Sequence, residues 1–114
     1  MEINSRDAGD VTVFEFKGRI IYDTEEIVKQ KTEEIIKAQL KKVVFNLKDL
    51  TYINSSGLGL LINILKRVKS YKGEIKLCCL RPEIKELFKI TSLNSIFDSG
   101  NETEEDALRK FVSL

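Results

Sequence analysis

Histidine is absent from the sequence, and cysteine occurs only twice, at Cys78 and Cys79. Zinc sites are built mainly from histidine and cysteine, so the usual zinc-ligand patterns cannot be assembled. The lack of histidine also excludes catalysis by Ser-His-Asp or Cys-His groups. The two cysteines are neighbours in an apolar run, and neighbouring cysteines rarely pair, which favours a reduced cytoplasmic protein. We expect neither a metal nor a cofactor.

Long apolar runs and an excess of charge of one sign are also missing. No apolar run approaches the length of a membrane-spanning helix, and residues 1–4 do not resemble a signal peptide. Lysine plus arginine number 19 against 18 aspartate plus glutamate, a formal net charge of +1. Such a balance gives no electrostatic reason to expect nucleic acid or an acidic membrane as a partner. We therefore expect no nucleic-acid binding and no membrane insertion.

The overall composition is that of a folded domain. The chain has 114 residues, of which 42% are hydrophobic and 32% are charged. These proportions are typical of a globular protein, and the length suits a single hydrophobic core. We expect one domain over residues 1–114.

Segments typical of strands and of helices alternate along the chain. Two strands are predicted over residues 2–6 and 11–17, with a turn at Gly9 between them and Gly18 ending the second. Further strands are predicted over residues 43–47 and 74–80, with a short edge strand at Ile96 and Phe97. Helices are predicted to begin near Thr24, Ser55, Pro82 and Thr103. The alternation indicates an α/β fold with a mixed, mostly parallel sheet of four to five strands and about four helices.

The segment from Leu50 to Leu65 is the most informative part of the chain. A predicted buried strand is followed by a polar turn and then by a strongly apolar helix. Asn54, Ser55 and Ser56 are residue types that cap helices, because their side-chain oxygens accept hydrogen bonds from first-turn amides. The same amides also favour an anion, including a phosphate on serine. Two interpretations stay open: the serines cap the helix and bond within the turn, or an exposed hydroxyl is phosphorylated by a kinase.

Two glycines, Gly57 and Gly59, fall in the first turn of this helix. Glycine inside a helix costs about 1 kcal/mol relative to alanine, so both positions need a reason. Either the helix packs closely on a neighbouring element, or the missing side chains let a partner approach the serines. A phosphate-binding P-loop is excluded because its glycine-lysine-serine/threonine ending is absent. A serine hydrolase is disfavoured, because the turn lacks the glycine pattern of a nucleophile elbow and no histidine base exists.

The apolar face of the same helix is unusually wide. Leu58, Leu61 and Leu65 can face the sheet, while Leu60 and Ile64 lie well round from them. A flanking helix would cover these two side chains, and a protein-docking patch is the second interpretation.

Residues 43–59, an apolar strand followed by Lys-Asp-Leu-Thr-Tyr-Ile-Asn-Ser-Ser-Gly-Leu-Gly, resemble the STAS domain family, and within it the bacterial anti-sigma factor antagonists. That family has an apolar strand, an aspartate, two hydroxyl residues and Gly-Leu-Gly opening a helix. Phe16-Lys17-Gly18 and residues 82–93 are similar to further family segments. The resemblance extends from about residue 11 to residue 111.

The resemblance implies a non-enzymatic protein-binding module that takes part in partner switching. An unphosphorylated antagonist binds an anti-sigma factor that is also a serine kinase, and so releases a sigma factor for transcription. The kinase phosphorylates the antagonist, the pair separates, and a serine phosphatase resets it. Carried over to this sequence, the phosphorylated residue is Ser55. The implied partner-binding residues are Asn54, Ser56, Gly57, Leu58, Gly59 and Ile21.

Two positions of this surface differ in charge from the family pattern. Asn54 stands in place of the family aspartate, and Ile21 stands where the family often has an acidic residue. Both differences make the surface less acidic. A STAS scaffold without a switch, or an accessory subunit of a signalling or transporter assembly, is therefore the alternative interpretation.

Overall fold

The computed structural model of the protein describes residues 1–111. Five strands form one sheet: β1 (Glu2–Ala8), β2 (Val11–Ile20), β3 (Lys42–Ile53), β4 (Glu74–Cys78) and β5 (Asp98–Asn101). The helices are α1 (Glu25–Lys37), α2 (Ser55–Lys69), α3 (Pro82–Ile90) and α4 (Glu104–Arg109). None of these helices is long and apolar enough to cross a membrane. The predicted α/β fold, with a mixed sheet and four helices over the described residues, is confirmed.

The strands lie in the sheet in the order in which they occur along the chain. β1 and β2 form an antiparallel hairpin, and its turn contains Gly9 at φ +68°, a conformation that glycine adopts without a steric penalty. The remaining neighbours pair in parallel, and α1, α2 and α3 lie in the three successive crossovers. Parallel pairing brings the carboxyl ends of β2 and β3 to the same edge of the sheet.

The two faces of the sheet are covered by different helices. The larger core lies on the face of Phe14 and Phe16, where buried residues of α1, α2 and α3 pack. The smaller core lies on the opposite face, where Val11 and Val13 pack beside Ala107 of α4. Side chains of β2 therefore alternate between the two faces, since the phenylalanines and the valines enter separate cores.

The wide apolar face of α2 is explained by the helix beside it. α1 and α2 lie against each other. Ile64 is buried and Leu60 packs at the margin of the larger core, beside Lys29 and Thr32 of α1. The flanking helix α1 thus covers Leu60 in part, and Ile64 belongs to the larger core.

The prediction that β2 ends at Gly18 is wrong, as is the prediction that β3 ends near residue 47. Gly18 takes φ +120° at an irregularity in the ladder, and the strand then continues to Ile20, which pairs with Ile53. The Thr51 hydroxyl also donates to the Gly18 carbonyl at 3.2 Å. The polar residues of β3 suggested a turn, but they belong to a strand whose Leu50 and Ile53 are buried in the larger core.

The prediction of an edge strand at Ile96 and Phe97 is also wrong. Phe97 enters the larger core, where its ring lies 5.8 Å from that of Phe88, while Ile96 is exposed. The edge strand is β5, and Asp98 in it accepts a hydrogen bond from Lys76 at 2.8 Å. The polar sequence of β5 concealed it, because the strand is held by hydrogen bonds and by an ion pair with the buried Lys76 rather than by apolar side chains.

Cys78 and Cys79 are both free thiols, in agreement with the prediction. Cys79 has φ +63°, a left-handed conformation that ends β4 two residues earlier than predicted. Cys78 lies in the smaller core and Cys79 packs against it. Burial, together with the neighbouring Cys79 side chain, raises the pKa of the Cys78 thiol far above its ordinary value.

Candidate functional site

The loops that follow β2 and β3 are joined directly at one edge of the sheet. The amide of Asn54 donates to the carbonyl of Ile20 at 3.1 Å. Ile21 follows immediately, and its amide donates to the Thr24 hydroxyl at 3.0 Å in the short turn before α1. The start of α2 and the half-buried Ile21 therefore lie side by side, as the resemblance implies.

Asn54 is the residue that caps α2. Its side-chain oxygen accepts a hydrogen bond from the amide of Gly57 at 2.7 Å, and its carbonyl accepts from the amide of Leu58 at 3.0 Å. The interpretation in which a serine caps the helix is therefore wrong. Aspartate and asparagine cap helices about equally well, so the replacement of the family aspartate keeps the cap and removes its charge.

Ser56 is held by a residue on a different helix. Its hydroxyl donates to the Glu25 carboxylate at 2.9 Å. Glu25 is the first residue of α1 and is only 9% exposed, although it carries a carboxylate. Sequence reasoning missed this contact, because a glutamate in a first turn is accounted for by the helix dipole alone. The sequence offered one hint of a separate role for Glu25: the adjacent Glu26 also lies in the first turn and can complement the helix dipole.

Ser55 differs from its neighbour in being unengaged. It is the first residue of α2, it is exposed, and its hydroxyl makes no hydrogen bond within residues 1–111. It lines a shallow groove between the start of α2 and α3, together with Tyr52, Leu58, Glu83 and Leu87. A reactant could therefore reach this hydroxyl without any rearrangement of the fold.

The two glycines of α2 occur at their positions for different reasons. A Cβ atom on Gly57 would lie 2.6 Å from Ile20 Cγ2 and 2.8 Å from Ile53 Cγ1, so this position requires glycine for close packing. A Cβ on Gly59 would meet nothing within 4 Å, and the residue is exposed. Packing within the described residues therefore explains why position 57 is glycine. It does not explain Gly59, which lies on the surface beside Ser55.

The predicted partner-binding residues thus divide into an outer and an inner group. Asn54, Ser56 and Gly59 reach the surface, whereas Gly57 and Leu58 are buried beneath it. Two aromatic side chains that sequence reasoning did not select are exposed at the same edge, Tyr22 at 86% and Tyr52 at 50%. Exposed tyrosines beside a candidate docking surface are common anchors in protein interfaces.

Metal binding finds no support among the described residues. Within residues 1–111 no group of three or more cysteine, aspartate or glutamate side chains converges as metal ligands would. Asp98, the most enclosed aspartate, is taken up by Lys76 at 2.8 Å and Lys110 at 3.0 Å.

Solved structures define the class of fold. A protein of Thermotoga maritima whose crystal structure is described as that of an anti-sigma factor antagonist superimposes with a TM-score of 0.87, at 21% identity over 95% of this chain and 92% of its own. The phosphorylated form of SpoIIAA, a cell fate determinant of Bacillus, has a TM-score of 0.76 at 18% identity, covering 97% of this chain and 100% of its own. At these identities the likeness shows the fold alone.

Sequence comparison then gives the family. A family model described as STAS domain matches residues 2–107, and the chain belongs to the STAS domain family. BtrV of Bordetella bronchiseptica, described as an anti-sigma factor antagonist, is 30% identical over 105 residues, which cover 85% of this chain and 90% of BtrV. The family predicted from residues 43–59 is confirmed.

Proposed function

We propose that this protein is an anti-sigma factor antagonist that binds its partner when Ser55 is unphosphorylated and releases it when Ser55 carries a phosphate. The observation that carries the proposal is the state of the Ser55 hydroxyl, which is exposed and unengaged at the start of α2. It is supported by relatives described as anti-sigma factor antagonists and by SpoIIAA, a structural neighbour described in a phosphorylated form.

The physical effect of phosphate at this position is large and local. A phosphoserine adds about two negative charges and three strong acceptors to a side chain that was neutral. The amides at the start of α2 favour an anion there, so the fold has no need to change. A partner whose surface matches a neutral hydroxyl would instead face an unpaired charge, which costs binding free energy.

The proposed partner is an anti-sigma factor that is also a serine kinase. It transfers the terminal phosphoryl group of ATP to the Ser55 oxygen, and a serine phosphatase removes it by hydrolysis. This chain contributes the acceptor and a docking surface around Asn54, Ser56, Gly59 and Ile21, shaped from beneath by the buried Gly57 and Leu58. It performs no catalysis itself, and both partners act on it in the cytoplasm.

The first test is the phosphorylation state of the protein recovered from its host. Intact-mass measurement before and after phosphatase treatment should reveal one removable phosphoryl group, and peptide mapping should place it on Ser55. Protein that never carries phosphate, in any growth phase or stress condition, would contradict the switch.

The second test is binding to each kinase-type anti-sigma factor that the host encodes. Ser55→Ala should bind as the wild type does and accept no phosphate, whereas Ser55→Asp should bind at least about tenfold more weakly, or about 1.4 kcal/mol. Gln39→Ala, an exposed position outside the proposed surface, serves as the control. Equal affinity of the wild type and both Ser55 variants would exclude a switch at this residue.

The uncharged Asn54 and Ile21 also fit a second candidate, a STAS scaffold or accessory subunit without a switch. That function predicts stable association with a larger signalling or transporter assembly and no phosphate on Ser55. The recovered protein distinguishes the two candidates, since a scaffold should co-purify with its assembly whether or not ATP is present.

A further inference from the structure

The two adjacent serines of α2 face different neighbours. Ser55 lines the groove toward α3, where Glu83 and Leu87 form the other wall. Ser56 points toward α1 and donates to the Glu25 carboxylate at 2.9 Å. Two hydroxyls that are alike in sequence therefore stand in unlike surroundings, one open and one engaged.

Glu25 is an unusual residue to find in this place. It is 9% exposed, whereas Glu26, also in the first turn of α1, is exposed. A glutamate that served only to complement the helix dipole would gain nothing from such burial, which carries a desolvation cost. The hydrogen bond from Ser56 offsets part of that cost and fixes the carboxylate against the start of α2.

We propose that Glu25 is a positioning residue that decides which of the two serines is phosphorylated. The inference rests on the proposed function, because it names the acceptor of that same switch. Glu25 engages the Ser56 hydroxyl and holds a negative charge where a phosphate on Ser56 would have to lie. Ser55 is thereby left as the acceptor.

The exclusion of Ser56 follows from charge. A phosphoryl group on its oxygen would replace the donated proton and bring about two negative charges against a buried carboxylate. Like charges at hydrogen-bonding distance repel, and Glu25 is only 9% exposed, so solvent screens its carboxylate less than it would screen a fully exposed one. A phosphate on Ser55 meets the open groove and solvent instead. The same reasoning applies to a single carboxylate placed at either position.

A stability comparison tests the charge exclusion without any partner. Ser55→Asp should leave the unfolding midpoint near that of the wild type, whereas Ser56→Asp should lower it by about 4–8 °C. Adding Glu25→Gln should restore most of that loss in Ser56→Asp and should leave Ser55→Asp unchanged. Adding Glu26→Gln to Ser56→Asp should restore nothing, because Glu26 is exposed and the Ser56 hydroxyl is hydrogen-bonded to Glu25 instead.

Equal midpoints for Ser55→Asp and Ser56→Asp at neutral pH, or equal rescue by Glu25→Gln and Glu26→Gln, would overturn the assignment to Glu25.

Mapping of phosphorylation sites tests the choice itself. With a host anti-sigma kinase and ATP, the wild type should carry phosphate on Ser55 alone, and Ser55→Ala should carry none. The double variant Ser55→Ala/Glu25→Gln should accept phosphate on Ser56, whereas Ser55→Ala/Glu26→Gln should accept none. Absence of phosphate from every variant would overturn the proposed switch, whereas failure of the stability comparison would overturn the role of Glu25.

Discussion

Gly57 of α2 and Ile20 of β2 touch so closely that no side chain fits between them: a Cβ on Gly57 would lie 2.6 Å from Ile20 Cγ2. Gly57→Ala should therefore lower the free energy of unfolding by about 1–3 kcal/mol, through overpacking against two buried side chains. Urea denaturation measures the change. Gly59→Ala is the matched control, since its Cβ meets nothing within 4 Å and alanine favours the helix by about 1 kcal/mol.

The control variant Gly59→Ala also carries a prediction about binding. Gly59→Ala should fold at least as stably as the wild type but weaken association with the partner, because its methyl group projects into the surface beside Ser55. If Gly59→Ala proved both stable and fully competent to bind, Gly59 would have no part in the docking surface.

Asn54 should contribute to stability through its cap rather than through charge. Asn54→Ala removes the acceptor of the Gly57 amide and should cost about 1 kcal/mol. Asn54→Asp keeps that acceptor and should change stability by only a few tenths of a kcal/mol. Thermal unfolding of the two variants compares them, and a loss in Asn54→Asp as large as that in Asn54→Ala would argue against the cap as the main role.

The ion pair of Lys76 and Asp98 predicts a pH-dependent part of the stability. Burial alone would raise the pKa of Asp98, but hydrogen bonds from Lys76 and Lys110 outweigh it and lower the pKa. A lowered pKa in the folded state means that the stabilisation is present above about pH 4, the ordinary aspartate range, and is lost as the pH falls through the folded value. Asp98→Asn should therefore cost about 2 kcal/mol at pH 7 and progressively less in acid.

A matched control for Asp98 is the exposed pair of Lys85 and Glu102, whose atoms are also 2.8 Å apart. Glu102→Gln should cost less than about 1 kcal/mol, because exposed ion pairs contribute little. Comparable losses from both substitutions would show that the enclosure of Lys76, whose side chain is 7% exposed, adds nothing to its ion pair.

The two thiols should react very differently with a thiol reagent. The Cys78 thiol is buried and its pKa is raised by that burial, so it should be inert in the folded protein. At most one thiol, that of Cys79, should react before unfolding, and two should react in urea. Cys79→Ser should show no fast reaction, and rapid labelling of that variant under native conditions would contradict the buried position of Cys78.

Much of the fold could be predicted because its helices and strands have recognisable patterns in the local sequence. Hydrophobic periodicity predicted α2, and the cap-type residues Asn54, Ser55 and Ser56 indicated where it begins. The candidate site was selected for the same reason, since cap residues and first-turn glycines are visible in the sequence. What could not be predicted depends on contacts between distant residues. Asp98 of β5 is bonded to Lys76, and Ser56 is bonded to Glu25. These partners are too far apart along the chain for a local sequence pattern to reveal the contact.

The strands stand in the sheet in the order of the chain, so each one pairs with the strand made just before it. On a ribosome, the sheet can therefore grow by one strand at a time, without waiting for a later segment to be inserted between two earlier ones. Loop closure between neighbours in sequence costs less entropy than closure between distant segments. β2, α1, β3 and α2 all precede residue 70, so the loops around Ile21 and Ser55 can be assembled while α3 and α4 are still being synthesised.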